Sequence, residues 1–287
     1  MNKQQSQWLP RRIRQQLRLP REIASVRRAG LVVWEAHQAA ASLVRPGVTT
    51  AEINQAVEAV LEKRGALALF KGVPGKVPYP AATCVSVNDE VVHGIPGPRV
   101  LRPGDLVSID IGARVEGWCA DAAASYAVGE VSDEARRLLQ VTEKALALAL
   151  RLISQKERWS QVAREIERFA RAAGFSPADG LVGHSIGREM WGGLQLPNDW
   201  RPEYSPRRDF PLVPGLVLAI EPMVNAGAPQ VELLPDHWTM ATADGSLSAH
   251  FEHTVALTEE GVAVLTAGPD GQGWSLPDSG LAPVPPD

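Results

Sequence analysis

The chain has 287 residues, with 29 Lys and Arg against 33 Asp and Glu, for a formal net charge of -4 at pH 7. This mild charge does not indicate a nucleic-acid or membrane partner, and no apolar run is long enough to cross a bilayer. Two cysteines and the lack of a signal-peptide pattern predict a cytoplasmic protein without a disulfide framework.

The chain begins with an arginine-rich segment, residues 1–20, which we interpret as a basic flexible extension. Contact of this arm with the ribosome is a second interpretation of the same charges. Apolar residues then recur at helical spacing over 21–44. A second helix is predicted from Thr49, whose spacing from Glu52 matches a capping box, and Gly65 is expected to close it.

The same helical pattern occurs again later in the chain. Helices are predicted over 135–153 and 159–173, and Gly174 closes the second of them as Gly65 closes its counterpart. Strand-rich sequence follows each helix pair, which indicates an internal duplication. We therefore expect an α+β fold in which two helix pairs cover a curved antiparallel sheet, with an internal pseudo-two-fold and a site at the seam between the halves.

The second half contains short apolar segments separated by turn residues. Strands are predicted over 216–223, 238–241, 247–257 and 262–266. Beyond residue 267 the composition turns to Pro, Gly, Asp and Ser, which predicts a disordered tail over 268–287. The compact domain is expected to span 21–267.

Two acidic residues are predicted to share one face of a β-hairpin. A strand over 106–111, a turn over 113–117 and a strand over 118–126 would bring Asp110 and Asp121 side by side. Carboxylates that are buried so close together repel each other, so a cation is expected between them.

Three later residues can complete a cage around such a cation, namely His184, Glu221 and Glu252. Four carboxylates and one imidazole form an oxygen-rich set of ligands. That set suits two divalent ions, such as Mn, Fe, Co or Zn, better than one structural zinc.

At these residues the sequence resembles the type I methionine aminopeptidases, metallopeptidases with the creatinase-like pita-bread fold. The resemblance extends over residues 22–266. It is carried, in the order of the family, by five blocks: 84–96 (CVSVNDEVVHGIP), the hairpin with Asp110 and Asp121, 183–188 (GHSIGR), 220–225 (IEPMVN) and 248–254 (SAHFEHT). It implies removal of the N-terminal methionine from peptides and nascent proteins by water that a pair of metal ions activates.

The resemblance also implies a role for each site residue. Asp110 would hold one metal and His184 the other, with Asp121 and Glu252 bridging them, while Glu221 would be both a ligand and a proton shuttle. His93 would contact the substrate through a hydrogen bond to the scissile amide or the oxyanion. The methionine side chain would lie in an apolar pocket formed by Tyr79, Cys84, Met190 and Trp238.

The sequence departs from the family at two positions. Trp191 stands seven residues after His184, where the family has a second active-site histidine, and Lys76 replaces a tyrosine of the pocket rim. The Trp191 indole can donate a hydrogen bond to substrate but cannot shuttle protons. Strand alternation places His250 on the metal-facing side as a substitute, and His237 is a weaker candidate.

These departures leave other functions open. The chain could be an aminopeptidase of the same fold with another N-terminal residue or peptide preference. Xaa-Pro cleavage is disfavoured, since that branch needs further histidines that are missing here. A non-catalytic peptide-binding protein is disfavoured because all five ligand positions are filled. We expect a monomer whose partner is a peptide or nascent-protein N-terminus.

Overall fold

The computed structural model describes residues 8–201 and 209–276. Its helices are α1 (Arg11–Arg14), α2 (Pro20–Ser42), α3 (Thr50–Lys63), α4 (Asp133–Leu152) and α5 (Trp159–Ala172). The strands of the first half are β1 (Leu67–Ala68), β2 (Thr83–Val87), β3 (Glu90–Val92), β4 (Leu106–Val115) and β5 (Trp118–Ala127). Those of the second half are β6 (Ser176–Pro177), β7 (Val182–Ser185), β8 (Gln195–Pro197), β9 (Val217–Ile220), β10 (Met223–Asn225), β11 (Val231–Leu233), β12 (Met240–Thr242), β13 (Ser248–His250), β14 (His253–Thr258) and β15 (Gly261–Val264).

The four long helices begin and end close to where the sequence predicts. At the start of α3 the Glu52 amide donates to Thr49 Oγ1 at 3.2 Å, and the Thr49 amide donates to the Glu52 carboxylate at 2.7 Å. The predicted capping box is therefore confirmed. Gly65 and Gly174 follow the second helix of each pair with φ of 62° and 87°, a left-handed conformation that glycine adopts at little cost.

Each half has its own antiparallel sheet and its own helix pair. In the first half β4 pairs with β1, β2 and β5, and helices α2 and α3 pack on this sheet. In the second half the strand order is β15-β14-β9-β7-β8, and α4 and α5 pack on the strands of that half. Two three-stranded sheets complete the fold, and one of them joins the halves because β12 pairs with β3.

The two main sheets meet where β5 lies beside the start of β14. The Asp121 amide donates to Thr254 Oγ1 at 2.9 Å, and the same hydroxyl donates to the Asp121 carbonyl at 2.8 Å. The Glu252 amide donates to the Ala123 carbonyl at 2.8 Å. These contacts fix the two halves in register, with Asp121 and Glu252 at the seam.

Several predicted strand bounds are wrong. Strand β4 continues to Val115, and the hairpin turn is only Glu116 and Gly117, not 113–117. Both turn residues have positive φ, 49° and 77°, as the two-residue turn that matches the twist of a hairpin requires. The predicted strands over 216–223 and 247–257 are each interrupted, which leaves Glu221 and Glu252 between strands.

The described part of the N-terminal segment, residues 8–19, differs from the predicted flexible extension. Leu9 and Ile13 are 2 % and 0 % exposed and belong to the core of the second half. The Arg18 amide donates to the Gly215 carbonyl at 2.7 Å. Leu9 precedes α1 and Ile13 lies on it, and the surrounding Arg and Gln residues hide these two apolar positions in the sequence. Residues 1–7 lie outside the described part.

The described part of the C-terminal tail is also packed. Residues 268–276 lie against α2 and α4, with Leu276 packed on the second-half core and the Ser275 amide donating to Glu143 Oε1 at 3.1 Å. The disordered tail predicted from residue 268 is therefore wrong for these nine residues, because a Pro/Gly-rich composition hides the apolar side chains that dock. Residues 277–287 lie outside the description. None of the helices in the described ranges combines the length and apolar character that a bilayer crossing needs.

Candidate metal centre

The two hairpin carboxylates share one face of the first sheet. Gly112 pairs with Asp121 and Asp110 pairs with Ala123, so the two aspartates are diagonal neighbours. Their exposed fractions are 8 % for Asp110 and 3 % for Asp121. A side chain at position 112 would fill this face, since a Cβ there would lie 3.1 Å from Asp121 Oδ1.

The second half brings its own ligand candidates to the same place. One ligand atom from each of Asp121, His184 and Glu252 lies within 4.8 Å of the others. Glu221 follows β9, which pairs with β7, and its Oε1 lies 3.6 Å from His184 Nε2. The structure thus brings the predicted ligands of both halves to the seam.

The His184 ring is oriented for ligation. Its Nδ1 lies 3.2 Å from the Ser185 carbonyl, to which it donates. That tautomer leaves Nε2 with a free lone pair toward the carboxylates, the arrangement that metal-binding histidines use. Burial lowers the pKa of His184 to about 4, so the ring is neutral at pH 7 and able to bind a cation.

Several polar atoms of the cluster are left unpaired. Within the described ranges, Asp110 Oδ1, Asp121 Oδ1 and Glu252 Oε1 are buried and have no hydrogen-bond partner. Buried polar atoms without partners are rare and costly in proteins. Asp121 and Glu252 also belong to the close group with His184, and Asp110 is the diagonal neighbour of Asp121, so these residues fit divalent metal ions.

The electrostatics of the carboxylates support the same fit. Burial, reinforced by neighbouring carboxylates, raises the pKa of Asp110, Glu221 and Glu252 well above the usual range. Burial also raises the pKa of Asp121 to about 7, although hydrogen bonds from Asp110 and the Ala122 amide oppose the shift. Four adjacent carboxyl groups cannot all ionise here unless positive charge lies among them.

His250 lies next to the proposed proton shuttle. Its Nε2 is 3.6 Å from Glu221 Oε2, is buried, and has no hydrogen-bond partner among the residues described. The Ser125 hydroxyl fixes the backbone of His250 by accepting from its amide at 2.8 Å and donating to its carbonyl at 2.9 Å. The predicted orientation toward the metal side therefore agrees with the structure. Burial, and then the nearby charge of His93, lower the pKa of His250 to about 3.

His93 lies in a tightly shaped loop close to His250. Its φ of 60° is unusual for a non-glycine residue, and such strain is common at functional sites. The next residue, Gly94, has no room for a side chain, because a Cβ would lie 2.5 Å from the Val85 carbonyl oxygen. Burial lowers the pKa of His93 to about 4, so it is a neutral hydrogen-bonding group at pH 7.

The four predicted pocket residues form one apolar cluster. Tyr79, Cys84 and Met190 are buried in it, and Trp238 packs against them. The Tyr79 and Trp238 rings meet edge to face at 5.3 Å, and each ring's polar atom is satisfied by a backbone carbonyl. The cluster adjoins the carboxylates, since Cys84 pairs with Asp110 across β2 and β4.

Phe70 is a further member of this apolar cluster, and the sequence does not predict it. It is 7 % exposed, and its ring lies 6.3 Å from that of Tyr79. It precedes an irregular Pro/Gly-rich loop, so no periodic pattern marks it as buried. An aromatic residue at the edge of such a loop is the one available signal.

The two departures from the family lie at the periphery of the cluster. Trp191 is 54 % exposed, in the loop between β7 and β8, and Lys76 is exposed as well. The neck of the Trp191 loop is closed by Ser185, whose hydroxyl donates to Gln16 Oε1 at 3.0 Å and accepts from the Leu194 amide at 3.1 Å. The weaker candidate His237 is half-buried in a turn beside Trp238.

Comparisons with known proteins agree with this geometry. Residues 24–259 match metallopeptidase family M24. "Methionine aminopeptidase 1" of Bacillus subtilis is 44% identical over 247 residues, which cover 86% of this chain and 97% of that protein. The crystal structure of methionine aminopeptidase from Thermotoga maritima is 38% identical with a TM-score of 0.82, and the match covers 87% of this chain and 98% of that one.

A more distant structure shares only the fold. Prolidase from Pyrococcus furiosus has a TM-score of 0.71 at 19% identity, over 89% of this chain and 66% of that one. The predicted α+β pita-bread fold is thus confirmed. On the family match and on the identity to full-length relatives, the chain belongs to metallopeptidase family M24, among the type I methionine aminopeptidases.

Proposed function

We propose that this protein is a metalloaminopeptidase that removes the N-terminal methionine from peptides and nascent proteins. The observation that carries the proposal is the buried cluster of ligand candidates at the seam, with its unpaired oxygens, directly beside an apolar cluster. The names of the similar proteins support the same activity.

The ligand set suits two divalent ions. Asp110 would hold one ion and His184 the other, and Asp121, Glu252 and Glu221 would supply the remaining oxygens. When bound, such ions polarise the peptide carbonyl and lower the pKa of a water molecule toward neutrality. Carboxylates and one imidazole are compatible with Mn, Fe, Co or Zn.

Glu221 moves the proton in this scheme. Its carboxylate faces both His184 and His250, and from this position it would take the proton of the attacking water and deliver it to the leaving amine nitrogen. His250 Nε2 lies 3.6 Å from the second oxygen of Glu221, so a small approach of the two side chains would let the imidazole hydrogen-bond to this carboxylate. His93, neutral at pH 7, donates a hydrogen bond to the scissile amide or to the oxygen that becomes negative.

The apolar cluster receives the side chain of the first residue. Tyr79, Cys84, Met190, Trp238 and Phe70 offer aromatic and sulfur surface with their polar atoms already paired. Such a surface favours an unbranched thioether over a charged or hydrogen-bonding side chain.

A second candidate function is an aminopeptidase of the same fold with another residue or peptide preference. The observation that favours it is the exposed Trp191, which contacts solvent rather than the carboxylate cluster and belongs with Lys76 to the rim. Substrate contacts by Trp191 would then involve residues beyond the first.

The experiment that decides between these functions combines metal content with a substrate panel. Metal-depleted protein is reconstituted with Mn, Fe, Co or Zn and assayed on peptides that differ only in their N-terminal residue. The proposal expects metal-dependent release of methionine, with Asp110→Asn as the inactive control. Efficient release of a different residue would replace the first function by the second. Metal-loaded wild-type protein that releases no N-terminal residue from any peptide of the panel would contradict both.

Three further expectations remain predictions: a monomer, a cytoplasmic location, and contact of the basic N-terminal arm with the ribosome. For the last, the packing of residues 9–18 leaves Arg11 and Arg14 at the surface. Those two side chains are available for such a contact.

A further inference from the structure

A segment outside the family match reaches the back of the metal centre. Residues 268–276 follow the matched range 24–259 and turn back on themselves, where the Gly268 amide donates to the Gln272 carbonyl at 2.6 Å. The buried guanidinium of Arg27 on α2 donates to the carbonyls of Leu265 and Gly268 at 2.9 and 2.8 Å. The segment is thus anchored to the first half of the molecule.

Trp274 is the side chain that this segment inserts. Its ring stacks on His253 with centroids 4.8 Å apart and an interplanar angle of 12°, and on Trp34 with centroids 5.8 Å apart. His37 contacts it from the side at 4.8 Å. The ring is therefore held between helix α2 and the residue that follows Glu252.

The Trp274 indole makes one hydrogen bond of particular interest. Its Nε1 donates to the backbone carbonyl of Glu252 at 3.2 Å. Glu252 lies in the break between β13 and β14, outside both strands, and its amide donates to Ala123. Both backbone polar groups of this buried residue are thus fixed, one by the first sheet and one by the C-terminal segment.

We propose that Trp274 is a positioning residue for Glu252, and that the segment 268–276 is a working part of the metal centre. The proposal rests on the metal site proposed above. Fixing the Glu252 peptide at both ends restricts the direction in which its carboxylate leaves the backbone, so a ligand oxygen is already in place before a cation arrives. Removal of a group that hydrogen-bonds to a metal-ligand residue and orients it typically weakens metal binding by about 10- to 100-fold.

The test uses the full-length chain with Trp274→Phe, which keeps an aromatic ring in the stack but removes the N–H donor. Metal-depleted protein is titrated with Mn(II) in a calorimeter, and the circular dichroism and thermal midpoint of the metal-free protein are recorded beside it. We expect Mn(II) to bind roughly tenfold more weakly, or worse, to a protein that is still folded. Trp34→Phe is the matched control, because it changes the same stack but leaves the indole donor of Trp274 intact, and it should bind Mn(II) as the wild type does.

The outcomes separate the positioning role from the metal site itself. Wild-type affinity in Trp274→Phe would overturn the positioning role while leaving the metal centre standing. A variant that is unfolded without metal would also overturn it, since Trp274 would then serve the whole fold. Equal weakening in Trp34→Phe would assign the effect to stacking rather than to the hydrogen bond. A wild-type protein that binds no Mn(II) would refute the metal centre and this proposal together.

Discussion

The most informative single substitution at the site is His250→Ala. The His250 ring is 1 % exposed, and its Nε2 faces Glu221 Oε2 at 3.6 Å with no other partner among the described residues. In a catalytic complex that shortens this distance, the imidazole donates to a charged or developing carboxylate. Hydrogen bonds to charged groups contribute about 1.5–3 kcal/mol. If the bond is made in the transition state, its loss lowers kcat/KM by roughly 10- to 100-fold.

The assay is steady-state cleavage of a Met-Ala-type peptide by metal-loaded enzyme, with metal affinity measured in parallel. We expect kcat to fall while Mn(II) binding changes little, because His250 is not among the five ligand candidates. His250→Gln keeps a donor and should recover part of the rate. His237→Asn is the matched control, since Asn tolerates the positive φ of 66° at that half-buried turn and should leave kcat/KM within about twofold. Wild-type kcat/KM in His250→Ala would refute the reasoning.

Four other predictions concern the ligands, the loop and the fold. Asp110→Asn and Glu252→Gln should each abolish turnover while circular dichroism stays native, and a variant with full metal occupancy and normal turnover would contradict the ligand assignment. Trp191→His should leave kcat/KM on a Met-Ala-type peptide within about twofold, because the side chain at 191 is largely exposed to solvent; a rise of about tenfold would mean that the loop brings a charge-assisted donor to the reacting carbonyl. Ile13→Ala should lower the free energy of unfolding in urea by about 2–5 kcal/mol, the cost of a core cavity, whereas a value near zero would place the N-terminal helix outside the core. Burial lowers the pKa of His37 to about 4, and its unfolded value is about 6.5, so the unfolded state binds more protons between these pH values. The free energy of unfolding should therefore decrease as the pH falls from 6.5 toward 4. In urea melts at pH 7 and pH 5, His37→Gln should reduce the difference between the two free energies.

Some features near the candidate site can be predicted from local signals in the sequence. Alternation along a hairpin places Asp110 and Asp121 on one face, and the spacing of Thr49 and Glu52 is enough to start a helix. Strand alternation from Glu252 predicts that His250 faces the site, and His250 does so although the strand is broken between these two residues. In each case the information lies within a few residues, where backbone geometry alone decides the outcome.

The elements that the sequence analysis missed depend on partners far along the chain. Ile13 is buried because it packs against the core of the second half, and no residue near position 13 indicates that contact. Trp274 lies in a Pro/Gly-rich stretch whose composition predicts disorder, yet its stacking partners sit on α2 and after Glu252. The interruption of the predicted strand at Glu252 is likewise set by the seam, not by the local residue types.

The packed N-terminal segment also constrains the order in which the chain can fold. Leu17 bridges to Leu216, and the Arg12 guanidinium donates to the Asp209 carbonyl across a sequence separation of 197 residues. Arg12 and Leu17 therefore cannot make these contacts until Asp209 and Leu216 have been synthesised. Arg27 must wait longer still for the carbonyl of Gly268, 241 residues away. Contacts of such high sequence separation slow folding, so α1 and the first turns of α2 should remain open to proteases and chaperones throughout synthesis.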